Sequence, residues 1–400
     1  MEKDRLIVVS DHYLTFVKDQ VESISGAFSH IDVLVRYNPI AEISEIFPID
    51  RLKAFRKSAL VDLTDKPENI TVHLLPVFFL PLDCEYKMLG ERYFRIVERY
   101  IESHGISGHL IHAHFLWPNG YVAVRLKEKY GMPCLMTAYG YDIYDLPFRD
   151  NEWRAKIKNV LDCADAIVTV STSNLNCVNK LGTKTPVFLI PNGFRSDMFH
   201  PLDKHNCRKM LGLPQTGKIV VSIGNLVEEK GQKYLISAMA MLKNMRSDVF
   251  CFLIGRGPLR NNLLHQVRSL NLEENVRLCG GIPHNEILLW LNACDVFVFP
   301  SIRESFGVVQ IEAMACGKPV VATINGGSEE IINSSVGVLV EAGNSDALAE
   351  AISRALNSPW DEKVIGYYSK RFSLEYLSKD ILMVYSKLKK NSTINRDLRI

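Results

Sequence analysis

Short β-branched runs recur along this chain between longer amphipathic stretches: LIVVS at 6–10, DVLVR at 32–36, LIHAH at 110–114, PCLMT at 133–137 and AIVTV at 166–170. Strands that are apolar along both faces must be covered on both faces, and a parallel sheet flanked by helices does this. The same rhythm restarts with KIVVSI at 218–223, VFCFLI at 249–254, VRLC at 276–279, DVFVF at 295–299 and PVVA at 319–322. A chain of 400 residues is also longer than one core usually serves. The expected architecture is α/β, two doubly wound parallel-sheet domains in tandem. Pro, Gly, Asn and Asp cluster in PNGFRSDMFHPLDKHN at 191–206, so the boundary is placed there. The first domain is expected over 1–195 and the second over 196–373. An amphipathic helix at about 374–390 is expected to pack back on the first. LDCADAIVTVS at 161–171 and LNACDVFVFPS at 291–301 share Leu, Asp, Val and Ser at matching offsets, a weak sign of repetition.

A formal net charge of +2 with 47% hydrophobic and 23% charged residues describes an ordinary globular protein and gives no reason to expect a nucleic-acid partner. The nine cysteines are scattered and never spaced Cys-x-x-Cys, so neither a disulfide framework nor a zinc cluster is indicated, and a reducing cytoplasm is the simplest home. No basic n-region precedes an apolar stretch at the start, and VHLLPVFFLPL at 72–82 is too short and proline-broken to span a bilayer. DRLKAFRKSALVDL at 50–63 mixes Arg51, Lys53, Arg56 and Lys57 with Leu52, Phe55 and Leu60. It reads as a solvated helix face or as a peripheral contact with the cytoplasmic face of a membrane.

RESFGVVQIEAMACGKPVVA at 303–322 carries Glu304 and Glu312 around seven mostly apolar residues. The segment follows a strand, so 301–305 are expected as the loop at a strand's carboxyl end and 306–316 as a helix. That edge is where open α/β sheets bind ligands, and a helix start offers unpaired N–H groups to an anion. Eight helical residues rise about 12 Å, far beyond the roughly 5 Å between the paired carboxylates of a retaining glycoside hydrolase. Two acceptors so far apart suit the ends of one elongated hydroxyl-bearing ligand, with phosphates against the amides of Phe306, Gly307 and Val308. A sugar, a diphosphate and a ribose meet that description. The alternative is that Glu304 caps the helix and Glu312 is solvated.

ESFGVVQIEAMACGKPVVA resembles the E-x7-E signature of retaining glycosyltransferase family 4. HAHFLWPNG, PNGFRSDMF, GNLVEEKG, GRGPLRNNL and GGSEEII resemble further segments of that family, in its order. The resemblance implies the GT-B fold, two facing Rossmann-like domains with an interdomain cleft. It implies Glu304 on the donor sugar's hydroxyls, Glu312 on the ribose, and Lys230 with the 306–308 amides on the diphosphate. The donor-binding set would be Gly224, Asn225, Lys230, Gly257, Ile282, Ser305, Phe306, Gly307, Val308 and Glu312, and the catalytic set Glu304, His114, Tyr139 and Asp142. It implies transfer with retention from a nucleoside diphosphate sugar to a glycan or lipid-linked glycan hydroxyl, without a metal or other cofactor.

Several positions depart from the family. Asn225 stands where Arg is usual, leaving Lys230 more of the diphosphate charge. Tyr139 stands where many members have His, and a phenol is a poor base near neutrality. SDHYLTFVKDQ replaces the Gly-Gly loop after the first strand, leaving Thr15 and Phe16 without an assigned purpose, and Arg195 replaces an acidic residue. His112 and His114 share one strand face and could supply half a metal site, but with no third ligand evident His114 is read as lining the cleft. Asp142 either contacts sugar or acceptor or caps a helix. Two rivals arise from the departures and the scaffold: a nucleotide-sugar-binding subunit without turnover, and a sugar-nucleotide epimerase.

Overall fold

Residues 3–45 and 55–397 are described by the computed structural model, the side chains of 44–45 and 391–397 excepted. The chain divides into two units, residues 1–191 with 377–400, and residues 192–376. Arg51, Leu52 and Lys53 of the expected basic element lie outside the described residues. The rest of that element holds a single helical turn, Lys57–Leu60, with the Lys57 ammonium over the Tyr37 ring at 4.4 Å. Among the described residues no helix is long and apolar enough to cross a membrane. All nine cysteines are unpaired thiols.

The first unit is built on β1 (Arg5–Ser10), β2 (His30–Tyr37), β3 (Ile70–Pro76), β4 (Leu110–His114), β5 (Cys134–Ala138), β6 (Ala166–Thr169) and β7 (Val187–Leu189). They form one parallel sheet in the order β3-β2-β1-β4-β5-β6-β7. Alternate residues of β1 separate its faces. Ile7 and Val9 join a core with Leu89, Tyr93, Trp117 and Trp153, while Leu6 and Val8 join one with Val17, Tyr385 and Leu388. Ile381, Val384, Tyr385 and Leu388 belong to the C-terminal helix Leu374–Asp397, which therefore covers one face of this sheet.

The second unit carries β8 (Lys218–Ile223), β9 (Val249–Ile254), β10 (Val276–Gly280), β11 (Val296–Phe299), β12 (Val320–Ile324) and β13 (Gly337–Glu341), parallel throughout in the order β10-β9-β8-β11-β12-β13. Its start lies four residues before the expected boundary. The Phe194 N–H donates to the Phe372 carbonyl at 3.1 Å and the Leu374 N–H to the Phe194 carbonyl at 3.0 Å, so the Pro-Asn-Gly stretch is tied to this unit.

The echo at 161–171 and 291–301 turns out to be one local device used twice. Asp165 bonds backbone to backbone with Cys134 and accepts the Cys134 N–H on its carboxylate at 2.8 Å. Asp295 does the same with Ile219, its carboxylate accepting at 2.7 Å. Each aspartate thereby locks the start of a neighbouring strand, at Cys134 of β5 and Ile219 of β8, in register. The strands concerned, β6 and β11, hold different places in their sheets, so the echo is shared strand-start chemistry and not a trace of duplication.

Candidate functional site

Because every strand of the second unit is parallel, the loops after β8, β9, β11 and β12 leave one edge of the sheet. The first two are sewn together by backbone bonds, Leu226 N–H to the Arg256 carbonyl at 2.9 Å and Leu259 N–H to the Leu226 carbonyl at 3.1 Å, with Gly257 packed against the Leu226 backbone and Gly255 against that of Gly224. Gly231 has φ +64°, and a Cβ there would stand 2.0 Å from the Pro300 carbonyl oxygen. Only glycine lets the loop that carries Lys230 press against the end of β11.

That approach delivers Lys230 to Glu304. Their side chains form an ion pair, 25% and 17% exposed, with the ammonium 5.3 Å from the Phe299 ring centroid. Glu304 lies in the loop, its N–H donating to the Asn325 carbonyl at 3.0 Å and its carboxylate accepting from the Ser305 N–H at 3.1 Å. It does not cap the helix, which runs Val308–Ala315 and starts two residues later than expected. Gly307, φ +86°, occupies the cap, and Phe306 is a buried plug beneath it. Val308 opens the helix, so the first-turn amides face the same edge as the Lys230–Glu304 pair.

Glu312 is not solvated. Only 5% exposed, its carboxylate is bonded to His284 Nε2 at 3.0 Å, and the His284 ring lies 5.3 Å from Phe199. His284 carries no recognisable motif and was not anticipated. Asn225 is exposed, and its backbone carbonyl accepts from Gln232 Nε2 at 2.9 Å. Ile282, part-exposed, lies in the loop after β10. The structure thus gathers Gly224, Asn225, Lys230, Gly257, Glu304, Ser305, Phe306, Gly307 and Val308 on the loops of one sheet edge, with Glu312 four residues into the helix.

The other candidates belong to the first unit. His112 and His114 share a face, ring centroids 4.3 Å apart, but His112 spends both nitrogens on Tyr385 Oη (2.7 Å) and Thr137 Oγ1 (2.8 Å). Burial lowers its pKa to about 3, so it is a neutral structural imidazole. His114, fully buried, sits 2.6 Å from the Tyr139 hydroxyl through Nδ1, and Tyr139 donates onward to Gln20 Oε1 at 3.2 Å. Burial drives the His114 pKa well down and the Tyr139 pKa well up, leaving both uncharged near neutrality. Tyr139 is 6% exposed and packs between Phe16 and Phe115, each centroid 4.9 Å away. This gives Phe16 a purpose that its sequence did not disclose.

Asp142 is 3% exposed, and its carboxylate accepts the N–H of Leu116 and of Gly140, both at 2.8 Å. It ties the loop after β4 to the loop after β5. Burial outweighs those bonds and pushes its pKa up to about 6. The side chain is thus fully used within the protein.

Residues 203–372 match the family described as Glycosyl transferases group 1, and residues 57–197 the one described as Glycosyltransferase Family 4. An uncharacterized glycosyltransferase of Methanocaldococcus jannaschii is 31% identical over 326 residues, 80% of this chain and 86% of that protein. A D-inositol 3-phosphate glycosyltransferase of Streptosporangium roseum is 29% identical over 270 residues, 62% of each chain. Among solved structures, sucrose-phosphate synthase from Thermosynechococcus elongatus aligns with TM-score 0.77 at 23% identity, covering 96% of this chain and 99% of that one. Anabaena HepE in complex with UDP and glucose aligns with TM-score 0.73 at 20% identity, covering 96% and 100%. At these identities the structural likeness speaks for the fold.

Proposed function

This chain belongs to glycosyltransferase family 4 and has its GT-B fold, and on that premise we propose that it moves a sugar from a nucleoside diphosphate sugar to an acceptor hydroxyl with retention of configuration, in polysaccharide or glycoconjugate synthesis. The observation that carries the reading is the Lys230–Glu304 pair at the start of the helix Val308–Ala315. It places a cation, first-turn amides and a carboxylate together, which is what a diphosphate joined to a polyhydroxy ring requires. In the proposed complex Lys230 turns from Glu304 to the diphosphate, Glu304 accepts from sugar hydroxyls, and Glu312, steadied by His284, accepts from the ribose. The acceptor oxygen attacks the anomeric carbon on the face the diphosphate is leaving. The bond from that carbon to the phosphate oxygen breaks, the new glycosidic bond forms, and the hydroxyl proton passes to the departing phosphate oxygen. Lys230 and the amides stabilise the negative charge as it develops. No residue of the chain has to act as a nucleophile or as a strong base, so Tyr139 in place of His is compatible with turnover.

The burial of Tyr139 favours one rival, a nucleotide-sugar-binding subunit without turnover. Glu304→Gln separates the two. A transferase variant should keep its nucleotide affinity within a few-fold while kcat falls by about two orders of magnitude, the scale for loss of one well-placed electrostatic group. Transfer undetectable in the wild type with nucleotide binding intact would favour the subunit. A mixed epimeric product would favour an epimerase.

A further inference from the structure

Tyr139, His114 and Asp142 are sealed in the first unit, whereas the loop after β1 carries a polar ring that is not. His12, in the loop between β1 and the helix Thr15–Ile24, is part-exposed. Its ring meets Phe16 edge-on at 5.6 Å and Phe115 at 5.7 Å, so it lies against the same aromatic cluster that encloses Tyr139.

We propose that His12 is the imidazole with which the first unit hydrogen-bonds a sugar oxygen of the acceptor, a part that the sealed Tyr139 side chain cannot take. The inference rests on the transferase reading above. Four observations support it. His12 Nδ1 is buried without a hydrogen-bond partner, and so is Nε2 of the fully buried His114 in the same cluster. Buried polar atoms are nearly always satisfied, so two orphans in one aromatic cluster mark a place where a ligand would complete the bonding. The backbone on both sides is strained: Thr15 has φ +40° and Phe115 has φ +70°. Non-glycine residues held at such angles each cost on the order of 1–3 kcal/mol and concentrate at functional sites. The loop backbone that carries the ring is also held, since Ser10 Oγ donates to the His12 carbonyl at 2.8 Å. Finally, the neighbouring Asp11 carboxylate is engaged by Arg36 at 3.0 Å and by Asn119 Nδ2 at 3.1 Å, and is not bonded to the imidazole. Burial lowers the His12 pKa against the opposing pull of Asp11, so the ring is neutral near pH 7. A neutral imidazole whose Nδ1 has no partner suits a sugar hydroxyl and not a phosphate.

The test uses the full chain with isotope-labelled histidine, titrated with a panel of methyl and octyl glycosides in the presence and absence of nucleoside diphosphates. A glycoside that binds should move the His12 nitrogen resonances and leave those of His112 in place. His12→Phe, which keeps an aromatic ring at the position, should weaken that glycoside by about tenfold, the scale of one lost hydrogen bond. His12→Gln should recover most of the loss, and both should bind nucleotide as the wild type does. Binding that leaves the His12 resonances unmoved, equal affinity in His12→Phe, or no glycoside binding at high millimolar concentration would overturn the inference. If no nucleotide binds, the transferase reading fails instead, and the nucleotide-free arm still decides His12.

Discussion

At the scale of single residues, the carboxylates of this protein divide by what they touch. Glu304 faces a lysine that a ligand could displace, while Asp142 is spent on two backbone N–H groups. Asp142 also couples stability to pH. Its folded pKa is raised from the ordinary 3.8 to about 6, so the folded state binds this proton more tightly than the unfolded chain does. The resulting stabilisation is complete below pH 3.8 and is lost as the pH rises through 6, a change on the order of 3 kcal/mol. Asp142→Asn should therefore flatten the stability profile between about pH 4 and 6. Near pH 7 it should be less stable than the wild type by about 1–3 kcal/mol, because one amide oxygen cannot serve two N–H donors. Urea midpoints at both ends of the window read this out, and parallel profiles for the two proteins would refute it. Glu304 and Glu312 stood out in the sequence because their spacing sits inside a strand-loop-helix pattern, and Lys230 because its loop resembles that of the family. His284, the first residue of a helix, and His12, in a loop, did not, since a lone histidine has no periodicity and its partners come from distant segments.

At the scale of elements, the strands that sequence reading missed are Ile70–Pro76, Val187–Leu189 and Gly337–Glu341, and all three are edge strands. A central strand is covered on both faces and hydrogen-bonded on both sides, so it must be a continuous apolar run. An edge strand is not so constrained and tolerates the His73 and Pro76 found in the first of these. The helix after β11 was found, but its start was misplaced because Phe306 looks like a first-turn helical residue and is instead a buried plug ahead of Gly307. That glycine carries the element's most exacting conformation. A Cβ there would meet Gln310 Nε2 at 2.5 Å, on a backbone already at φ +86°. Gly307→Ala should cost about 1–3 kcal/mol and should shift the amides of the helix start, so nucleotide affinity should fall as well. A urea midpoint and nucleotide affinity both unchanged from the wild type would show that this turn is not strained.

At the scale of the whole molecule, two parallel sheets arise from a rhythm of apolar runs that stops and restarts. The boundary between the units was harder to read, because the Pro-Asn-Gly stretch looks like a linker and is in fact held by backbone bonds to residues 372 and 374. The central claim is that the second unit binds a nucleoside diphosphate sugar through Lys230, Glu304, Glu312 and the 306–308 amides. The direct measurement is a thermal-shift panel of nucleoside diphosphates and their sugar conjugates on wild type and Glu312→Ala. At a hundredfold its dissociation constant, a bound nucleotide should stabilise the fold by about 2.7 kcal/mol. One base should raise Tm in the wild type, and Glu312→Ala should abolish that rise. No shift with any nucleotide, or an equal shift in Glu312→Ala, would contradict the assignment of the donor site.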